Sequence, residues 1–134
     1  MQTTSPANKP DCPHHNIVLV DDEPAFRSVL KEILTTFGFS VYAYGLVAPA
    51  LENLEKDLPD LILTDIMMPD IDGYQFIQAV QENQRFKNVP VIVISALAQP
   101  EDRNLSVEYG AAAYLTKPFT ARELRQVITD LLGF

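Results

Sequence analysis

Four short apolar runs, at residues 17–20, 61–63, 91–94 and 113–115, each break abruptly into polar residues. Apolar runs without alternation read as strands buried on both faces, as in a parallel sheet covered on each side by helices. The stretches between them carry helical spacing. Phe26, Val29, Leu30, Ile33, Leu34 and Phe37 form one apolar stripe, opened by Pro24 at a first helical position and closed by Gly38 as a left-handed cap. Residues 40–44 alternate better and are less apolar, which suits an edge strand. A weaker helix follows over 47–56, with Pro49 in its first turn and Leu51 and Leu54 turned inward. Phe76, Ile77 and Val80 mark a helix over 74–83, and residues 89–95 a strand. Residues 100–109 predict a short polar helix ended by Gly110, anchored only by Leu105, Val107 and Tyr109 and therefore mobile. After a strand at 112–116, Thr120 and Glu123 form a capping box for a last helix whose stripe is Leu124, Val127, Ile128, Leu131 and Leu132. Five strands alternating with five helices predict a three-layer α/β domain with a parallel sheet in the order 2-1-3-4-5.

In such a sheet all strand C-termini share one rim. The residues delivered there are Asp21 and Asp22, Asp65, Ser95 and Lys117. Converging carboxylates repel one another unless a hard cation sits between them, and Mg2+, which accepts a few oxygens and keeps several waters, fits such a cleft. A lysine opposite a metal and a carboxylate suits a phosphoryl group, and Ser95 adds a hydroxyl donor. Together these are the parts needed to form an aspartyl phosphate, with Asp65, at the end of a central strand, as the nucleophile. Asp70 and Asp72, beyond Pro69, read as turn and helix-cap residues.

Composition narrows the picture. With 134 residues the chain fits one domain, 47% hydrophobic and 21% charged. Its net charge of -8 and lack of a basic patch argue against direct nucleic-acid binding. No apolar run approaches the length of a membrane span and no signal-peptide core is present, so the expectation is a cytoplasmic protein without a membrane partner. Residues 1–15 are polar and proline-rich, which predicts a disordered extension before a domain over 16–134. His14-His15 and the single Cys12 lie in that stretch and read as incidental.

The motifs Val-Asp21-Asp22-Glu-Pro, Leu-Thr-Asp65-Ile-Met-Met-Pro-Asp-Ile-Asp-Gly, Ile-Ser95-Ala and Tyr-Leu-Thr-Lys117-Pro-Phe, in that order, resemble the receiver domain of two-component response regulators. The resemblance implies a flavodoxin-like receiver fold, a Mg2+ (or Mn2+) cofactor and phosphorylation of Asp65 by a histidine kinase or histidine phosphotransfer protein. It implies Asp22 and Asp65 as direct metal ligands, Asp21 through water, and the Met67 carbonyl as a further ligand. Lys117, Ser95 and the Ala96 amide would bind the phosphoryl group. Tyr114 would be the switch aromatic that turns inward as Ser95 shifts, and Lys117-Pro118 a cis bond. An unknown downstream protein would read the fourth helix, fifth strand and fifth helix, from a free-standing regulator or a receiver cut from a larger protein. In place of water-orienting groups Met67 and Leu97 are apolar, which predicts a long-lived phosphoryl group. The run from Gly110 to Tyr114 lacks the acidic pair of family members that dimerise through the fourth and fifth helices, which argues against that dimer. Two other classes compete. A Mg2+-dependent phosphohydrolase of the haloacid dehalogenase-like type would need a second Asp where Met67 stands, and a nucleotide-binding module would need a glycine-rich loop that the five glycines do not form.

Overall fold

A computed structural model describes residues 15–133. The elements are β1 (Asn16–Val20), α1 (Pro24–Thr36), β2 (Ser40–Tyr44), α2 (Val47–Lys56), β3 (Leu61–Thr64), α3 (Gly73–Glu82), β4 (Val91–Ser95), α4 (Pro100–Tyr109), β5 (Ala113–Thr116) and α5 (Ala121–Leu132). All strand pairs are parallel, in the order β2-β1-β3-β4-β5, as the pattern predicts. The sheet splits the core in two because successive side chains on a strand face opposite ways. Ile17, Leu19, Leu61, Leu63, Ile92 and Ile94 meet Leu30 and Leu34 of α1 and Leu124 and Ile128 of α5. On the other face, Val18, Val20, Ile62, Val91 and Val93 meet Val47, Ala50 and Leu54 of α2 and Phe76, Ile77 and Val80 of α3. β1, β3 and β4 are almost wholly buried, whereas β2 lies at the edge with Tyr42 exposed.

Two parts of the helical pattern come out differently. Val29, placed on the buried stripe of α1, is 53% exposed. In α4 the inner face is Asp102, Ser106 and Tyr109, with Ser106 fully buried; Leu105 and Val107 are exposed and do not anchor it. Three apolar residues in ten set no clear helical phase, so tertiary packing chose it.

The expected disorder of residues 1–14, with Cys12 and His14, lies outside the described residues, as does Phe134. His15, assigned by sequence to the extension, touches the domain: its carbonyl accepts the Ser40 amide at 3.0 Å and its ring lies 6.3 Å from that of Phe39. Among the described residues no helix is long and apolar enough to cross a membrane.

Candidate active site

The site begins with where two central strands stop. The Asp65 amide donates to the Val20 carbonyl at 3.0 Å, so the ladder between β1 and β3 continues one step past Thr64 and sets Asp65 beside Asp21. Asp21 is itself tied to β2, its amide donating to the Tyr44 carbonyl at 3.0 Å, and its Oδ1 accepts the Glu23 amide at 2.9 Å. That turn leads into Pro24 at the start of α1. Arg27, one turn into the helix, donates from Nη1 to the Asp21 carbonyl at 2.8 Å. Asp21 is fully buried and Asp65 nearly so, while Asp22 projects into solvent and accepts no hydrogen bond from the described residues.

β4 and β5 bring the opposing groups. The Lys117 amide donates to the Ser95 carbonyl at 2.8 Å, extending the last ladder, and the Lys117–Pro118 bond is cis. The Lys117 ammonium reaches Asp21 Oδ2 at 2.8 Å and Asp65 Oδ2 at 2.9 Å, and lies 4.1 Å from the centre of the Phe26 ring. Burial alone would favour the neutral amine, but hydrogen bonds and charges from Asp21 and Asp65 outweigh it and hold Lys117 above the ordinary lysine value. Ser95 is buried, and its Oγ accepts the Leu97 amide at 3.1 Å. Ala96 follows at the rim, exposed.

Asp21, Asp22 and Asp65 offer oxygens all within 4.8 Å of one another. Three carboxylates and one ammonium leave two negative charges in this space, and a divalent cation balances them. The all-oxygen donor set suits Mg2+, and Asp22 is free to serve it. The adjoining cleft, about 450 Å3, is lined by Asp22, Ile66, Met67, Met68, Pro69 and Asp72. Met67 is exposed there, its amide donating to Asp65 Oδ1 at 3.2 Å. Gly73 lets the start of α3 approach closely: a Cβ there would fall 2.5 Å from the Asp65 carbonyl oxygen and from the Ile66 Cα.

Tyr114 already points inward in this structure. It is buried, and its hydroxyl donates to the Leu97 carbonyl at 2.5 Å. Burial foremost pushes its hydroxyl above the usual tyrosine value. Ser95 and Tyr114 therefore grip the same residue, one by its amide and one by its carbonyl. Sequence reasoning saw Leu97 only as an apolar side chain and missed its backbone. It also missed Phe26, Arg27, Gly73 and Arg103, whose guanidinium covers the Tyr114 ring at 5.1 Å. Phe26 fits the apolar stripe of α1 like any core residue, and nothing in the local pattern of Arg103 marks a partner eleven residues away.

The sequence pattern of the response regulator receiver domain matches residues 17–129. Response regulator Rre1 of Synechocystis is 38% identical over 119 residues, covering 88% of this chain and 52% of that protein. A probable transcriptional regulator, ycf27, of Porphyra purpurea is 37% identical over 116 residues, 87% of this chain and 46% of its own length. The chain thus spans about half the length of these curated relatives. Among solved structures, a response regulator from Chloroflexus aurantiacus superposes with a TM-score of 0.85 at 29% identity, covering 90% of this chain and 98% of that one. The receiver domain of the sensor histidine kinase PA1611 from Pseudomonas aeruginosa, solved with a magnesium ion coordinated in its active-site cleft, gives 0.83 at 29% identity, covering 90% of this chain and 99% of its own. Strand order, sequence pattern and these likenesses agree, and the chain belongs to the response regulator receiver domain family.

Proposed function

We propose that Asp65 is the phosphoacceptor of this receiver, taking a phosphoryl group from a phosphohistidine of a histidine kinase or histidine phosphotransfer protein. The observation that carries this reading is the Lys117 ammonium bridging Asp21 and Asp65, at 2.8 and 2.9 Å, beside a third carboxylate. An Asp65 oxygen attacks phosphorus, the bond from phosphorus to the imidazole nitrogen breaks, and the imidazole leaves with the bonding pair and regains a proton from solvent. Asp22 and Asp65 would hold Mg2+ (or Mn2+) directly, with Asp21 acting through water and the Met67 carbonyl as a further ligand. The ion, when bound, neutralises charge on the transferring oxygens. Lys117 is placed to follow the charge from the Asp65 carboxylate onto a phosphoryl oxygen, and the Ser95 hydroxyl and Ala96 amide donate to the others. The magnesium site of the PA1611 receiver, in a fold this similar, supports the metal assignment.

Ser95 and Tyr114 both hold Leu97, so a pull on Ser95 is felt at Tyr114 and, through Arg103, at α4. The output is a population shift in α4, β5 and α5 that a partner protein reads. The chain promotes its own phosphorylation and dephosphorylation but turns over no external substrate. Met67 and Leu97 offer no group to orient water, so the phosphoryl group is long-lived; decay within seconds in the isolated phosphoprotein contradicts this.

The test is intact mass after incubation with Mg2+ and acetyl phosphate. The expected result is one phosphoryl adduct that needs Mg2+ and is absent from Asp65→Asn. An adduct that persists in Asp65→Asn overturns the assignment, and turnover of a phosphate ester beyond one equivalent favours a phosphohydrolase.

A further inference from the structure

α2 starts poorly on its own sequence. Its N-cap residue is Leu46, which has no side-chain acceptor, and Pro49 in the first turn has no amide hydrogen. The two amides that remain, on Val47 and Ala48, both donate to Asp70, at 3.0 Å onto Oδ1 and 3.0 Å onto Oδ2. The acid that caps α2 thus comes from the loop leaving Asp65, 23 residues from Val47 in sequence. A carboxylate taking two amides at a helix N-terminus is charge-assisted and aligned with the helix dipole. Burial pushes the Asp70 carboxyl up, but amides of Ala48, Val47, Ile71 and Asp70 itself outweigh it and hold it below the ordinary value.

Three sets of hydrogen bonds bear on how the loop sits beside Asp65. The Gly73 amide reaches the Ile66 carbonyl at 2.7 Å, the Met67 amide reaches Asp65 Oδ1 at 3.2 Å, and Asp70 reaches α2. Of these three, the third joins the loop to a different helix, alongside the packing of Met68 and Ile71 on the core that α2 shares. Asp72, by contrast, caps the helix its own loop leads into, accepting the Tyr74 amide at 2.7 Å.

We infer that Asp70 is a positioning residue: it holds the loop from β3 to α3, and with it the Met67 backbone beside Asp65, against the first turn of α2. The order of that turn and the state of the Asp65 cleft are therefore coupled, a consequence that rests on the cleft being the Mg2+-dependent phosphoacceptor site. Such coupling is reciprocal, so filling the cleft firms the start of α2 as much as a firm α2 favours filling.

Amide hydrogen exchange by NMR on the full chain, wild type and Asp70→Ala, with and without Mg2+, tests this. Without metal, Asp70→Ala is expected to speed exchange at Val47 and Ala48 and to speed exchange or shift the resonance at Met67. A change confined to Val47 and Ala48 overturns the inference, since a mere helix cap does no more. In wild type, saturating Mg2+ is expected to slow Val47 and Ala48 by about fivefold, the lower end of typical couplings. That slowing should vanish in Asp70→Ala; unchanged rates in wild type, or the same slowing in the variant, contradict the coupling. Removing a nearby charge also weakens Mg2+ binding, so these amides decide rather than the affinity. A wild type that binds no Mg2+ sinks the phosphoacceptor reading while leaving the Met67 comparison to judge Asp70. Should Asp70→Ala not fold, Asp70→Asn, which keeps a single acceptor oxygen, replaces it and is expected to change the same three amides less.

Discussion

α5 and α4 flank the same end of the sheet and are built in opposite ways. α5 is opened by a complete capping box, Thr120 accepting the Glu123 amide at 3.0 Å and Glu123 accepting the Thr120 amide at 2.8 Å. It seats Leu124 and Ile128 fully in the core. α4 has no side-chain cap, and the only residue it buries is a serine, whose hydroxyl turns back to the Asp102 carbonyl at 3.0 Å. Its other grips are Tyr109 stacked on Tyr74 at 5.2 Å and Arg103 over Tyr114. A helix with so little apolar anchorage opens at low free energy. One of its few contacts, however, is the aromatic that shares Leu97 with Ser95. The soft helix is thus attached to the site, and the firm one serves as its frame.

The largest effect expected on this contrast is in the frame. Ile128→Ala should lower unfolding free energy by about 2–5 kcal/mol, read from urea denaturation. Gly73→Ala, whose Cβ meets backbone at 2.5 Å, should lower it by about 1–3 kcal/mol and weaken Mg2+ binding, measured by calorimetry. Thr120→Ala removes half the capping box and is expected to lower stability by about 1 kcal/mol. Val107→Ala in α4 should stay within about 0.5 kcal/mol of wild type, because its side chain is 60% exposed. A loss there of the size seen for Ile128→Ala would erase the contrast.

The smallest effect is in pH. Asp70 has a lowered folded value, so its contribution is fully present above the unfolded carboxylate range, about pH 4, and is lost as pH falls through the folded value. Wild type and Asp70→Asn should therefore differ in thermal midpoint at pH 6, with the gap closing as pH falls through the folded value. A constant gap across that range would show that the capping charge does not matter.

Hydrophobic pattern carried the fold because every central strand is buried on both faces and so is apolar throughout, leaving its polar terminus conspicuous. That feature placed Asp21, Asp22, Asp65, Ser95 and Lys117 on one rim. The pattern failed at α4, where Ser106 rather than Leu105 or Val107 faces inward, because so few apolar positions do not set a phase. Asp70 was legible as a capping residue but not as the cap of α2, since a contact across 23 positions leaves no local signature. The grip of Tyr114 and Ser95 on Leu97 is made through its backbone, and no side-chain pattern encodes it.

The most direct measurement is amide hydrogen exchange across the whole domain before and after phosphorylation of Asp65. The account predicts that exchange rates in α4 and around Leu97 change, while those of α5 and of β1 and β3 stay near their unphosphorylated values. Equal changes in α4 and α5, or none in α4, would contradict a firm frame whose state is read through a soft helix.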